Sequence, residues 1–395
     1  SAHYDSRRVF IEGWRDDATI VAWKIEVTSP GAVDVMIFQG SRVPDGAEEG
    51  SRYDLVIGEQ KITARVRNTD FDNRINPVEL GQLEIPRPGT YEVKIVPHPR
   101  EGGHFMNLRK VVLQGRNGFQ GHEVIPLEEQ RGLYFSKKEY WGEPLPVFAK
   151  QKSELPVPVI DDKPEYLEMY WKCWELAFDH MVKPDYEPNG FVSNYLDEAF
   201  NPNIFQWDTV FMVMFARYAH HVFPAMQSFD NFYCKQHYDG FICREIRETN
   251  GLDFHAKNSK QAINPPLFSW AEMESYRVTG DKSRFAIVLP VLEKYVEWLE
   301  TGRKDPNTAH GLYWSNGLGS GMDNTPRSGS GWVDMSSQMV MQYRDLAAMC
   351  ETLGHSEKAL VYRERARDIG KRINQWMWHE EDGLYYDVDG NGEHI

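Results

Sequence analysis

The residues that could do chemistry cluster between Trp314 and Arg327, in the stretch WSNGLGSGMDNTPR. It holds one acid, Asp323. Gly317, Gly319 and Gly321 alternate before the acid, Asn324, Thr325 and Arg327 follow it, and Trp314 and Trp332 flank the whole. No apolar period runs through the stretch, so it reads as a loop. Glycines let a backbone take positive φ or approach a ligand closely. Aromatic faces pack on the apolar face of a pyranose, and a carboxylic acid can protonate a glycosidic oxygen. The pattern suits sugar chemistry. An ordinary surface loop with an Asx-turn at Asp323 gives the same letters, so the weight falls on the elements that must hold the loop.

Composition sets the frame for those elements. The chain has 395 residues, 41 % of them hydrophobic and 13 % aromatic, with 12 Trp and 19 Tyr. Two or three domains with real cores fit that length, and disorder does not. The aromatic surplus also suits carbohydrate sites. A net charge of −15 repels phosphate backbones, so nucleic acid is not an expected partner. No apolar run is long enough to span a membrane. Cys173, Cys234, Cys243 and Cys350 are scattered without a CxxC pair, so a zinc ribbon or thioredoxin-type site is not indicated. Cys173 and Cys350 fall in helical patterns and read as buried thiols. The chain begins at Ser1 and shows no signal peptide; a removed leader or a trimmed N-terminus would both explain this. A periplasmic or extracellular location is the expectation.

Residues 1–115 read as a β-sandwich, jelly-roll-like. Val21–Val27, Val33–Ile37, Tyr53–Ile57, Lys61–Val66 and Tyr91–Val96 alternate with period two. Turn signals at Ser29-Pro30-Gly31, Pro44-Asp45-Gly46 and Pro88-Gly89 separate them. Residues 116–162 are rich in proline and read as an ordered linker, because Leu133-Tyr134-Phe135 and Tyr140-Trp141 need burial. From Lys163 the period becomes 3.6. The spacing predicts helices over Lys163–Val182, Thr209–His220, Ala271–Arg277, Phe285–Glu300, a stripe from Met335 to Cys350, and Ser356–Met377 with Leu360, Ile369, Ile373 and Trp376 inward. Helices joined by loops that carry Trp, Asp and Asn describe a toroid with the functional loops at one end. No fixed-period repeat is evident.

Four stretches in residues 165–395 resemble the (α/α)6-barrel glycoside hydrolases of the trehalase, glucoamylase and processing α-glucosidase clan, closest to bacterial members of glycoside hydrolase family 63. Phe205-Gln206-Trp207-Asp208-Thr209 is similar to the family's WD(S/T) loop. Asn264-Pro265-Pro266-Leu267, leading to Trp270, is similar to its QPP segment. Ser320-Gly321-Met322-Asp323-Asn324-Thr325-Pro326-Arg327 is similar to SGMDNSPR, the most specific of the four. Leu346–Asp387 is similar to the family's helix and following hairpin. Two departures stand out: Asn264 replaces the usual Gln, and Gly319 stands where Glu is common. The N-terminal segment, through IPRPGTYEVKIVP and MNLRKVVL, resembles modules appended to bacterial carbohydrate-active enzymes and sulfatases, which makes glycan binding by that module a hypothesis beside a purely structural role.

The resemblance implies an inverting glycosidase acting on an α-linked glucoside or related α-glycoside. It puts the general acid on Asp323 and hydroxyl binding in the −1 pocket on Asp208. It makes Trp207, Asn264, Trp270, Trp314, Gly321, Arg327 and Trp332 candidates for substrate contact. The clan's base is a Glu near the end of the barrel, beyond residue 395, so the resemblance implies an incomplete toroid over residues 163–395, a fragment or one piece of a split enzyme, whose remaining part would be a partner. Within the chain only Glu198, Glu272 and Glu274 offer weak substitutes for the base. No cofactor is implied. Asp387, Asp389 and Asn391 match the first half of a calcium loop, as polar hairpin turns also do. The alternative class is a non-catalytic glycan-binding protein with a degenerate barrel. A lyase or epimerase ranks lower, since His220-His221 is the only adjacent His pair.

Overall fold

The computed structural model of the chain describes residues 3–5, 10–12, 14, 18–43, 49–99, 105–136, 140–184, 189–198, 201–322 and 327–395. The chain divides into two compact units, Ser1–Pro126 and Leu127–Ile395. Together they make a multidomain protein, β first and largely helical after.

The first unit is two antiparallel sheets of five strands. One runs in the order β1 (His3–Asp5), β2 (Phe10–Glu12), β9 (Asn107–Gly115), β4 (Gly31–Gly40) and β7 (Asn76–Ile85). The other runs β10 (Gln120–Glu123), β3 (Val21–Ser29), β8 (Gly89–Pro97), β5 (Glu49–Ile57) and β6 (Gln60–Arg67). Alternate residues of each point inward. Ile25, Val27, Leu55, Ile57 and Val93 of one sheet meet Val33, Val35, Leu83 and Ile85 of the other in a shared core. A second core gathers Trp14, Tyr53, Ile95, Phe105 and Leu108. Strand β7 escapes the period-two reading because Gly81 sits at a bulge, where the register against Val35 and Met36 shifts. The β unit also runs past 115. Residues Gln120–Glu123 pair with β3, although that segment reads as linker because its four residues are all exposed and carry no alternation.

The rest of the proline-rich stretch belongs to the second unit. Gly132 N–H bonds Gln236 O at 2.8 Å, Tyr134 Oη donates to Tyr238 O at 2.7 Å, and the Phe135 ring meets Tyr233 edge-on. Leu133 and Trp141, expected to be buried, are 46 % and 72 % exposed.

The second unit holds α1 (Phe148–Gln151), α2 (Pro164–Asp179), α3 (Gln206–Ala216), α4 (Asp230–Tyr233), α5 (Phe268–Thr279), α6 (Ser283–Gly302), α7 (Val333–Thr352) and α8 (Ser356–Trp376). Three small antiparallel pairs tie the loops: β11 (Met181–Val182) with β12 (Tyr195–Leu196), β13 (Asn203–Phe205) with β14 (Glu245–Arg247), and β15 (Trp378–His379) with β16 (Leu384–Tyr385). Helices α7 and α8 pack as a hairpin, α5 lies against α3 and α7, and one apolar core runs through them all. Pro164 opens α2 at its first turn, where a missing N–H costs nothing. Gly280 closes α5 in the left-handed region, at φ 67°. On α8 the inward stripe is Ala359, Ala366, Ile369 and Ile373; Leu360, expected inward, is 56 % exposed one position away. Cys350 is buried as expected, but Cys173 lies on the exposed side of α2. Among the described residues no helix is long and apolar enough to cross a membrane.

Candidate active site

Strand β13 runs straight into α3, and this junction aims the Trp207-Asp208 pair. The N–H of Gln206 bonds Arg244 O at 2.8 Å, next to the β13–β14 pairing, and Thr209 Oγ1 donates to Phe205 O at 2.7 Å. Phe205 is the N-cap, so Asp208 stands inside the first turn and is not the cap. A carboxylate there gains from the helix dipole. The Trp207 ring meets Phe211 edge-on at 5.2 Å, and Phe211 in turn meets Trp270 at 6.4 Å.

The glycine loop comes to this first turn. Leu318–Ser320 make a 3-10 turn, and Gly321 follows at φ 72°. A Cβ on Gly321 would lie 2.3 Å from Cη2 of Trp207. Only glycine satisfies both the backbone angle and the approach of the indole. A Cβ on Gly319 would lie 2.6 Å from Ser315 Oγ and 3.1 Å from Ile263 O, so the loop also lies against the segment that carries Asn264. Arg244, unmarked in the sequence, donates through Nη1 to Leu318 O at 2.9 Å, and Asn316 accepts from Gly319 N–H at 3.0 Å. Residues 315–321 of the loop thus rest on α3, on the residues before β14 and on the segment before α5. Asp323, with Asn324, Thr325 and Pro326, lies outside the described residues.

Arg327, at the far end of the stretch, is tightly held. Nη1 and Nη2 fork onto Asp334 at 2.9 and 3.1 Å, Nε and Nη2 reach Asp387 Oδ2 at 3.1 and 2.7 Å, and the guanidinium stacks 3.8 Å from the centre of Trp332. Burial alone would lower its pKa, but the bonds to Asp334 and Asp387 outweigh it and raise it. The other oxygen of Asp387 accepts the Val333 N–H at 2.9 Å. Asp387 is a structural brace here, and its oxygens are already occupied. Asp389 holds the backbone N–H groups of Asn391 and Glu393 at 2.9 and 3.0 Å, the pattern of a polar turn. Among the described residues no group of three or more His, Cys, Asp or Glu could hold a metal ion.

The aromatic candidates separate. Trp332 is 1 % exposed, donates Nε1 to Gly329 O and lies under Arg327. It supports the loop from below, and its faces are not open to a sugar. Trp314 is half-buried with the Arg303 guanidinium 4.7 Å from its centre. Trp270 lines a groove of about 560 Å³ with Val333, Asp345, Ile373 and Tyr385. Asn264 is 4 % exposed, and its Oδ1 is buried without a hydrogen-bond partner among the described residues.

The acids weighed as a base also separate. Glu272 is 1 % exposed, binds Arg284 Nε and Nη2 at 2.7 and 2.8 Å and accepts Tyr233 Oη at 2.9 Å. Glu274 pairs with Arg217 at 3.3 Å and with Arg277. Both are structural ion pairs. Glu198 differs. Both of its carboxyl oxygens are buried with no hydrogen-bond partner among the described residues. Burial pushes its pKa up to about 8; the bond from its own backbone N–H pulls it partly back, and the nearby acids Asp197, Asp208 and Glu248 add smaller upward pushes. Sequence marks Glu198 only as one more acid; its burial is visible only in the structure.

Residues 201–332 and 331–395 match the sequence profile of a family described as "Mannosylglycerate hydrolase MGH1-like glycoside hydrolase domain". The helical unit is glycoside hydrolase-like. A relative of Borreliella burgdorferi, described as an uncharacterized protein, is 30 % identical over 229 residues; the match covers 58 % of this chain and 47 % of that protein. The chain therefore spans about half the length of that relative. Among solved structures, a sialidase aligns over 97 % of this chain and 40 % of its own, with 12 % identity and a TM-score of 0.47. A rhamnosidase from Klebsiella oxytoca with rhamnose bound aligns over 98 % of this chain and 70 % of its own, with 11 % identity and a TM-score of 0.43. Likenesses of that size say nothing of this chain's chemistry.

Proposed function

We propose that this protein is an inverting glycoside hydrolase that acts on an α-linked glucoside or related α-glycoside, with its helices set in an (α/α)6 toroid and Asp323 as general acid. The observation that carries the reading is the contact between Gly321 and Trp207. It brings the loop two residues short of Asp323 onto the helix turn that bears Asp208, and the family match covers both.

In this reading Asp208 holds glycone hydroxyls in the −1 pocket, with the Trp207 edge beside it. Asp323 gives its proton to the bridging oxygen as the bond to the anomeric carbon breaks. The leaving group departs as a neutral alcohol. Inversion requires a second carboxylate about 6.5–9.5 Å from the acid, to take a proton from the attacking water. Glu272 and Glu274 are engaged in ion pairs with Arg284, Arg217 and Arg277, which argues against either as that carboxylate.

The test is hydrolysis of α-glucosides, α-mannosides and trehalose followed by proton NMR. The expected first product from the glycone of an alkyl α-glycoside is the β-anomer, and trehalose is expected to give α- and β-glucose in equal amounts. An α-anomer from the glycone of an alkyl α-glycoside overturns inversion. Saccharide binding with no turnover of any glycoside favours the glycan-binding alternative.

A further inference from the structure

Three separate segments build the site, and Arg244 bonds to each of them. Its backbone carbonyl accepts the Gln206 N–H at 2.8 Å, one position before Trp207, and its own N–H donates to Ala262 O at 2.9 Å, two positions before Asn264. Its side chain reaches the third segment, where Nη1 donates to Leu318 O at 2.9 Å. That same carbonyl accepts the Gly321 N–H at 3.3 Å and so closes the turn that sets Gly321 in the left-handed region. The two lone pairs of one oxygen thus hold the glycine turn from within and tie it to the residues before β14.

The first two bonds belong to the backbone and survive any substitution but proline. The third depends on the guanidinium alone. The Arg244 side chain is 11 % exposed, and Glu245 Oε2 stands 3.8 Å from its Nη2. Its Nε is buried without a hydrogen-bond partner among the described residues. Glu245 is already engaged: Asn203 Nδ2 donates to its Oε1 at 2.8 Å, and His255 Nε2 lies 3.2 Å from its Oε2. A desolvated cation compensated this sparsely is a poor device for stability alone, which leaves its bond to the glycine turn as the feature to explain.

We propose that Arg244 is a positioning residue for the reaction, whose guanidinium holds the glycine turn at Leu318–Gly321 against Trp207, on the helix turn that carries Asp208. The proposal rests on the glycosidase reading in taking Asp323, two positions after Gly321, as the proton donor. Arg244 acts through the loop and touches no reacting atom. Without the guanidinium the turn keeps its own Gly321 N–H bond but loses its tie to the residues before β14. Proton transfer needs donor and acceptor within hydrogen-bond reach, so a small shift of the loop falls on the step that uses the proton. A glycosyl fluoride loses its leaving group without that proton, so its hydrolysis is spared.

The experiment compares wild type, Arg244→Met and Arg244→Lys, each as the full chain, on methyl α-D-glucopyranoside and α-D-glucopyranosyl fluoride, with the corresponding mannosides alongside. Circular dichroism and urea denaturation confirm folding. Arg244→Met keeps an apolar stem and loses the donor. Its kcat on the methyl glycoside is expected to fall at least ~10-fold, while its kcat on the fluoride stays near wild type. Arg244→Lys, which keeps a donor for Leu318 O, is expected to restore much of the lost rate. An equal loss on both substrates, or no loss on either, in a folded Arg244→Met protein overturns the proposal and leaves the glycosidase reading standing. So does failure of both variants to fold, because Arg244 would then serve the fold itself. If wild type hydrolyses none of these substrates, or Asp323→Asn hydrolyses the methyl glycoside at the wild-type rate, the glycosidase reading fails and the proposal falls with it.

Discussion

A side-chain carbon on Gly321 would lie 2.3 Å from Cη2 and 2.5 Å from Cζ2 of Trp207, so the glycine loop and the first turn of α3 are in direct contact. Gly321→Ala must distort both its left-handed backbone and the indole. It is expected to cost about 1–3 kcal/mol and to lower turnover by moving Trp207. Urea denaturation and kcat measure the two effects. Wild-type values for both would show that the loop yields without moving the site.

Arg327 fixes the far end of that loop through forked bonds to Asp334 and Asp387. Arg327→Lys keeps the charge but loses the planar fork. A loss of about 1–2 kcal/mol is expected, less than for a fully buried pair because Arg327 and both acids keep some exposure. Arg327→Ala should cost more, since Asp387 would keep an oxygen facing no cation. Equal stability of all three proteins in urea would contradict the brace.

The raised pKa of Glu198 makes a signed statement about stability. Between the ordinary carboxylate range and about pH 8 the folded state keeps this proton while the unfolded state has lost it. The unfolded state binds fewer protons, so this group's contribution to stability falls as pH rises, by up to about 1.4 kcal/mol per pH unit. Glu198→Gln should remove that slope and be more stable than wild type in mildly alkaline buffer. Parallel stability curves for the two proteins across this range would refute it.

Glu272 and Glu274 test the site from outside. Glu274→Gln should leave kcat near wild type, because Glu274 only bridges Arg217 and Arg277. Glu272→Gln should cost about 1–3 kcal/mol, because Arg284 loses its forked bonds to Glu272 and keeps Asp230 at 3.0 Å. A collapse of kcat in a stably folded Glu274→Gln protein would make Glu274 part of the chemistry.

Much of the helical unit was legible because its helices carry apolar stripes in the 3.6 period and end in Gly280-type caps. The strands with clean alternation, such as Val21–Ser29, were legible for the same reason. Strand β7 was not, because the bulge at Gly81 breaks the period, and β10 was not, because it is exposed along its length. Cys173 and Leu360 show that a helical pattern names a face only to within a residue. In the site, Trp207, Asp208 and the glycine loop stood out through their motif. Trp332 carried the same aromatic signal and is a buried support. Arg244 and Glu198 were the hardest to see. Their importance comes from a carbonyl 74 positions away in one case and from burial in the other, and neither leaves a local signature.

The central claim is that Asp323 protonates a leaving oxygen, and a leaving group that needs no proton tests it. Hydrolysis of the matching glycosyl fluoride should survive in Asp323→Asn, while hydrolysis of the alkyl glycoside is abolished. Wild-type rates on the alkyl glycoside would contradict the account.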